Sequence, residues 1–386
     1  MELTEAAYGP DHPEVARMLT NLGNAWFILG QPAKARELYE RALPIGEREF
    51  GPDDEQQVAL ILMNLGSAWI ELGQPTNARE LFERALSINE RKFGPDHPEV
   101  ARMLTNLGNA WRELGQPGKA RELCERALSI NERKFGPDHP AVARILTDLG
   151  SAWFNLGQPA KARELYERAL PISEREFGPD DEQQVALILV NLGNAWSELG
   201  EPAKARELYE RALGINERKF GPEHLQVART LTNLGNAWRG LGEPAEALKL
   251  YERALPIYKR EFGPDHPDVA ATLNNLGGAW NELREPAKAR ELYESALRIT
   301  AAKFGPGHPQ VAIITTNLGN AWRALGEPAE AFKLYERALH IFHTHFPNGH
   351  PAIATLARNI RAVAPDVIVL DNGLIGRTEG PGNSGS

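Results

Sequence analysis

The chain has 386 residues, with 43 Lys or Arg against 52 Asp or Glu, for a formal net charge of −9. That balance argues against a general nucleic-acid binder, which carries a basic field, and no apolar run reaches the roughly 18 residues a bilayer span requires. The single cysteine, Cys124, excludes an intrachain disulfide framework and fits a reducing compartment. The opening MELTEAAYGP has no basic-then-apolar leader, so the expected location is cytoplasmic.

In chain order, residues 1–8 resemble the closing turns of a helix and read as a fragment of a preceding unit. A Gly-Pro phrase then opens at Gly9 and returns at Gly51, Gly94, Gly136, Gly178, Gly221, Gly263 and Gly305, always 42 or 43 residues on. All eight tryptophans keep the same ruler: Trp26, Trp69, Trp111, Trp153, Trp196, Trp238, Trp280 and Trp322. The expected layout is eight complete repeats over 9–346 and a partial ninth over 347–363. The segment 364–386 lacks the period. Its Val367-Ile368-Val369-Leu370 is suited to plug the end of a stack, and its Gly/Ser-rich remainder reads as a flexible tail. Repeats two and five share GPDDEQQVAL at an offset of 127 residues, and the others match at the same offset. A three-repeat block was duplicated.

Each unit predicts two helices. In the third, Asp96 followed by Glu99 reads as a capping box, with Pro98 in the first turn. Val100, Met103, Leu104, Leu107 and Trp111 recur at helical spacing, and the pattern stops at Leu114-Gly115. Pro117 opens the second helix. Its apolar face is Ala120, Leu123, Cys124, Ala127, Leu128 and Ile130, and Arg133 and Lys134 suit the dipole at its end. The Leu-Gly-Gln-Pro link is short enough to force antiparallel neighbours. Gly108 sits inside a helix at a cost of about 1 kcal/mol against alanine, which implies a close helix approach, with Trp111 read as the interhelical filler. Arg284 stands where other repeats have the turn glycine, so that turn is either distorted or holds a left-handed arginine. Pairs such as Glu37 and Arg41 in ARELYERAL read as ion pairs four apart, worth about 0.2–0.5 kcal/mol each.

Leu22, Gly23, Trp26, Ala35, Tyr39 and Ala42, with their counterparts in the other repeats (Phe82 and Cys124 in place of tyrosine), resemble the tetratricopeptide signature. The phrases FGPDHPEVA and L-x-N-L-G are similar to the 42-residue variant of kinesin light chains and many bacterial relatives. The resemblance implies an all-α, right-handed superhelical solenoid of antiparallel helix pairs, with the first helices lining a concave surface. It further implies a protein–protein interaction scaffold that binds a peptide or protein segment in that groove. Two alternatives stand beside it: a sensor or regulatory arm of a larger signalling protein, and a self-assembling structural array with end-to-end association.

In peptide-binding members of that family, the two positions flanking Leu-Gly face the groove and hold the partner's backbone. Here they are Asn21 and Asn24, Asn64 and Ser67, Asn106 and Asn109, Asp148 and Ser151, Asn191 and Asn194, Asn233 and Asn236, Asn275 and Gly278, and Asn317 and Asn320. An amide both donates and accepts, so a ladder of them suits a peptide backbone. The other reading is that these asparagines bond neighbouring repeats and serve only stacking. Arg17, Arg102, Arg144 and Arg229 fall one turn earlier, and Arg112, Arg239 and Arg323 follow the tryptophans. They point to a partner with acidic residues or a free carboxylate.

No phosphate-loop or HExxH motif is present. Seven histidines recur in the Gly-Pro turn and read as caps. His340, His343 and His345, near His350, have no supporting cysteine or carboxylate. No catalytic residue, metal, cofactor, nucleic acid or membrane is expected.

Overall fold

The computed structural model describes residues 9–49, 55–176, 182–347, 349–365, 367–369 and 375–377. The expected helix fragment at 1–8, Leu370 and the residues beyond 377 lie outside them. The chain divides into two units, Met1–Leu199 and Gly200–Ser386.

The first unit stacks helix pairs: α1 (Pro13–Ile28) with α2 (Pro32–Glu49), α3 (Glu55–Glu71) with α4 (Pro75–Phe93), α5 (Pro98–Glu113) with α6 (Pro117–Phe135), and α7 (Pro140–Asn155) with α8 (Pro159–Glu176). Helix α9 (Glu182–Glu198) follows. The second unit runs α10 (Pro202–Phe220), α11 (Leu225–Gly240), α12 (Pro244–Phe262), α13 (Pro267–Glu282), α14 (Pro286–Phe304), α15 (Pro309–Ala324), α16 (Pro328–His345) and α17 (Pro351–Val363). Each unit is an α-helical solenoid in which the second helix of one repeat packs on the first helix of the next. A short antiparallel pair, β1 (Val367–Val369) and β2 (Ile375–Arg377), is appended to the last helix. Val367 is buried against a cluster containing Phe342, Leu356 and Ile360.

The histidine of the Gly-Pro turn starts the first helices. His97 Nδ1 accepts from the Glu99 N–H at 3.2 Å, and His139 Nδ1 from the Ala141 N–H at 3.1 Å. The N-cap is therefore His97, not Asp96, whose carboxylate instead accepts from Arg133 at 2.8 Å. The Phe93 ring, closing α4, stacks on His97 with centroids 4.5 Å apart. At the link to the second helix, the glycine is left-handed (Gly30 φ 71°), and the following N–H bonds back to the tryptophan carbonyl (Gln31 to Trp26, 2.9 Å). Arg284 adopts the same geometry, at φ 63° with Glu285 N–H bonding Trp280 O at 2.9 Å. The arginine is left-handed and the turn is undistorted.

The mid-helix glycine faces an aromatic ring rather than the tryptophan. A Cβ on Gly23 would lie 2.5 Å from Tyr39 Cε1, and one on Gly150 at 2.5 Å from Tyr166 Cε1. The tryptophans are only half-buried and join repeat to repeat. Arg36, Arg79, Arg121 and Arg163 lay their guanidinium groups 5.0–5.2 Å from the ring centroids of Trp69, Trp111, Trp153 and Trp196 in the next repeat. Arg206 and Arg290 do the same to Trp238 and Trp322 in the second unit. Such contacts contribute about 0.5–2 kcal/mol, more as water is excluded. The arginine of the ER pair also reaches across repeats: Arg126 pairs with Glu90 and Arg168 with Glu132, both at 2.7 Å. The four-apart ion pair within the helix is Arg36 with Glu40, rather than Glu37 with Arg41.

Candidate functional site: the face of the first helices

Successive first helices touch: α1 and α3, α3 and α5, α5 and α7, and α7 and α9 in the first unit, and α11, α13 and α15 in order in the second. These first helices carry the candidate residues. Arg17, Asn21 and Asn24 lie on α1, and Asn64 on α3. Arg102, Asn106, Asn109 and Arg112 lie on α5, Arg144 on α7, and Asn191 and Asn194 on α9. In the second unit Arg229, Asn233, Asn236 and Arg239 lie on α11, Asn275 on α13, and Asn317, Asn320 and Arg323 on α15. Every asparagine of the set keeps some solvent exposure.

Several of these side chains are engaged inside the stack. The Asn24 Oδ1 accepts from the Tyr39 hydroxyl at 2.7 Å and from Asn64 Nδ2 of the next repeat at 2.9 Å. The Asn320 Oδ1 likewise accepts from Tyr335 at 2.8 Å and Asn359 at 3.2 Å. Tyr251 donates to Asn236 at 2.6 Å, and Asn317 donates to Asn274 at 3.0 Å. The arginines also have local partners. Arg17 pairs with Glu14 at 2.5 Å, Arg102 with Glu99, and Arg112 with Glu113 at 3.2 Å. Arg239 grips Glu282 of the following repeat over Gly278, where a Cβ would come 2.8 Å from its Nη2. Gly278 is the clearance that lets Arg239 lie down.

Two of the concavities on this face of the first unit adjoin each other. One, about 530 Å³, is lined by Arg102, Asn106, Phe135, Arg144 and Ile145 among others, and the second, about 370 Å³, by Arg112, Phe154, Tyr166, Leu187, Asn191 and Asn194. Asp148 lines both. Burial pushes its carboxyl up to about 6, against the opposing pull of Arg112, a hydrogen bond from Asn109, and Arg144. Burial likewise raises the Tyr166 hydroxyl to about 12, and the Cys124 thiol on α6 well above its ordinary range. Cys124 stands where the next repeat has Tyr166. With no hydroxyl there to occupy the Asn109 oxygen, the Asn109 amide is free to direct its N–H at Asp148. Asp148 stands at a groove-facing position of the signature, but the sequence assigns it no role of its own, and Tyr166 reads there only as a signature aromatic. The available signal was an aspartate in a register that otherwise reads asparagine.

A family model described as "Tetratricopeptide repeat" matches residues 1–56, 57–123, 111–175, 154–216, 184–260, 238–302 and 281–342. The chain belongs to the tetratricopeptide-repeat family. Tetratricopeptide repeats are non-catalytic scaffolds that generally mediate protein–protein interaction. A search of the curated proteins found no match. Among solved structures, this tetratricopeptide chain is similar to the apo form of the quorum sensor NprR from B. thuringiensis, at 14% identity and TM-score 0.64, covering 86% of this chain and 88% of that one. It is similar to the apo form of RapI at 17% identity and TM-score 0.57, covering 75% and 99%. A putative kinesin light chain with nearly identical TPR-like repeats from Podosopora anserina is similar at 23% identity and TM-score 0.45, covering 55% and 99%.

Among the described residues, no helix is long and apolar enough to cross a membrane.

Proposed function

We propose that the face of the first helices holds an extended or helical segment of another protein, and that these two adjoining concavities of the first unit are its main seat. The observation that carries this is the lining itself: Asn106 in one hollow and Asn191 and Asn194 in the next, with arginines at their edges. The amides serve the partner's backbone, and Arg102, Arg112 and Arg144 serve its acidic residues or terminal carboxylate. The exposed Arg102–Glu99 pair contributes at most about 1 kcal/mol, so exchange for a partner's carboxylate costs little. The remaining candidate positions on α1, α3, α11, α13 and α15 extend the same register. The partner is a protein or peptide rather than nucleic acid or membrane, the chain itself has no catalytic role, and the location is cytoplasmic. The array is equally suited to serve as a sensor arm, and the quorum sensor NprR shares the fold alone.

The experiment is capture of peptides from a random library by the intact chain and by a chain carrying Asn106→Ala and Asn191→Ala. Binding should fall by about tenfold, roughly 1.4 kcal/mol, with helicity and melting unchanged. Equal binding would show that another surface does the work. A collapsed melting temperature would make the asparagines stacking residues. Asn109 and Arg112 are poor choices for this test, because both compensate Asp148.

A further inference from the structure

We propose that Asp148 is the receptor for a basic side chain, lysine or arginine, of the segment bound along the first unit's groove. This deepens the peptide-binding reading and rests on it. Asp148 is the one residue common to the linings of both hollows, so a chain passing from one to the other crosses it. The same register holds Asn21, Asn64, Asn106, Asn191, Asn233, Asn275 and Asn317. An amide evidently satisfies the stack there, and the fold has no need of a charge.

The carboxylate is under-compensated. It offers about four lone-pair sites, and the hydrogen bond identified at it comes from Asn109. The charged groups facing it are Arg112 from α5 and Arg144 from its own helix, and the Cys124 thiol of α6 and the Tyr166 hydroxyl of α8 also lie within its field. Arg112 already bonds Glu113. A donor arriving from the groove would therefore find an acceptor waiting.

The approach is shaped for a long aliphatic stem with a charged head. Leu187, 48% exposed, and Phe154 line the second hollow, and the exposed Phe135 lines the first, above the buried Ile145. A lysine or arginine lays its methylenes on such surface while its head seeks charge. The rim arginines take carboxylates, so the segment that fits is of mixed charge, with a basic residue at its centre.

The test uses a phage-displayed library of random dodecapeptides, panned on the intact chain and on Asp148→Asn, which installs the residue found at this register elsewhere. Pools from the intact chain should enrich Lys or Arg at one fixed position, and pools from Asp148→Asn should not. For a selected peptide, replacing that lysine by norleucine should weaken binding to the intact chain about tenfold and to Asp148→Asn less than about twofold. Absence of the basic position, or an equal loss on both chains, overturns the inference. The groove reading fails separately: if selected peptides bind the Asn106→Ala, Asn191→Ala chain undiminished, or if the library yields no binder, both fall. If that chain loses binding and no basic preference is found, only the role of Asp148 falls.

Discussion

At Asp148, burial and charge oppose each other within a single side chain. Its carboxyl titrates at about 6 in the folded protein, against an ordinary aspartate near 3.9 in an unfolded chain. The folded state thus holds the proton more tightly. The energetic cost of the charge is absent below about pH 4, grows between about pH 4 and 6, and is complete above that. Asp148→Asn should therefore raise melting stability at pH 7 by on the order of 2 kcal/mol, and the gap should close when both chains are melted near pH 4. An equal gap at the two pH values would mean the carboxylate is not desolvated. The residue scale is also where the sequence was most ambiguous. Asp96 and His97 both satisfy a capping pattern, and only backbone geometry decides that the His97 ring nitrogen meets the N–H. Arg284 was legible as a site of backbone strain because a glycine was missing, but its left-handed φ of 63° required the structure.

Between elements, the glycine and the aromatic of the paired helix act as one unit. Gly150→Ala should destabilise by about 1–3 kcal/mol, the usual cost of overpacking, because the new methyl meets Tyr166 at 2.5 Å. Gly108→Ala meets the Cys124 Sγ at 3.0 Å and the Ala120 carbonyl at 3.3 Å, and the helix gains about 1 kcal/mol from alanine. Its net effect should be much smaller. Thermal melts of the two variants compare them directly, and equal losses would remove Tyr166 as the cause. A close approach was readable from a glycine inside a helix. Its partner was not, because tryptophan three residues on and tyrosine sixteen residues on are both large aromatics of suitable spacing. The same limit hid Arg79 and Trp111 from one another: that contact exists only once repeats are stacked, and ARELFERAL alone reads as an exposed face.

At the scale of the molecule, the repeat period and the tetratricopeptide signature made the architecture legible, since every unit restates the same helix pattern. The groove face was legible as a register. Which amides are occupied was not, because the Tyr39 hydroxyl and Asn64 converge on Asn24 from different helices. The terminal β pair follows no period and left only the run Val367–Val369 as a hint. One earlier feature reaches beyond folding. The interface residues recur at an offset of 127 residues, so Phe93 followed by Gly221 would rebuild the native Phe-Gly-Pro seam. A gene lacking codons 94–220 should encode a shorter array with its helix starts, glycine turns and arginine–tryptophan contacts intact. It should keep near-full helicity per residue by circular dichroism, and loss of cooperative melting would refute it. Such a locus is prone to unequal crossing-over, and its length is free to drift in whole blocks. Loss of codons 94–220 removes Asp148 with its block, whereas loss of 9–135 rebuilds an equivalent seam and keeps it, so the frame of the deletion decides whether that carboxylate survives.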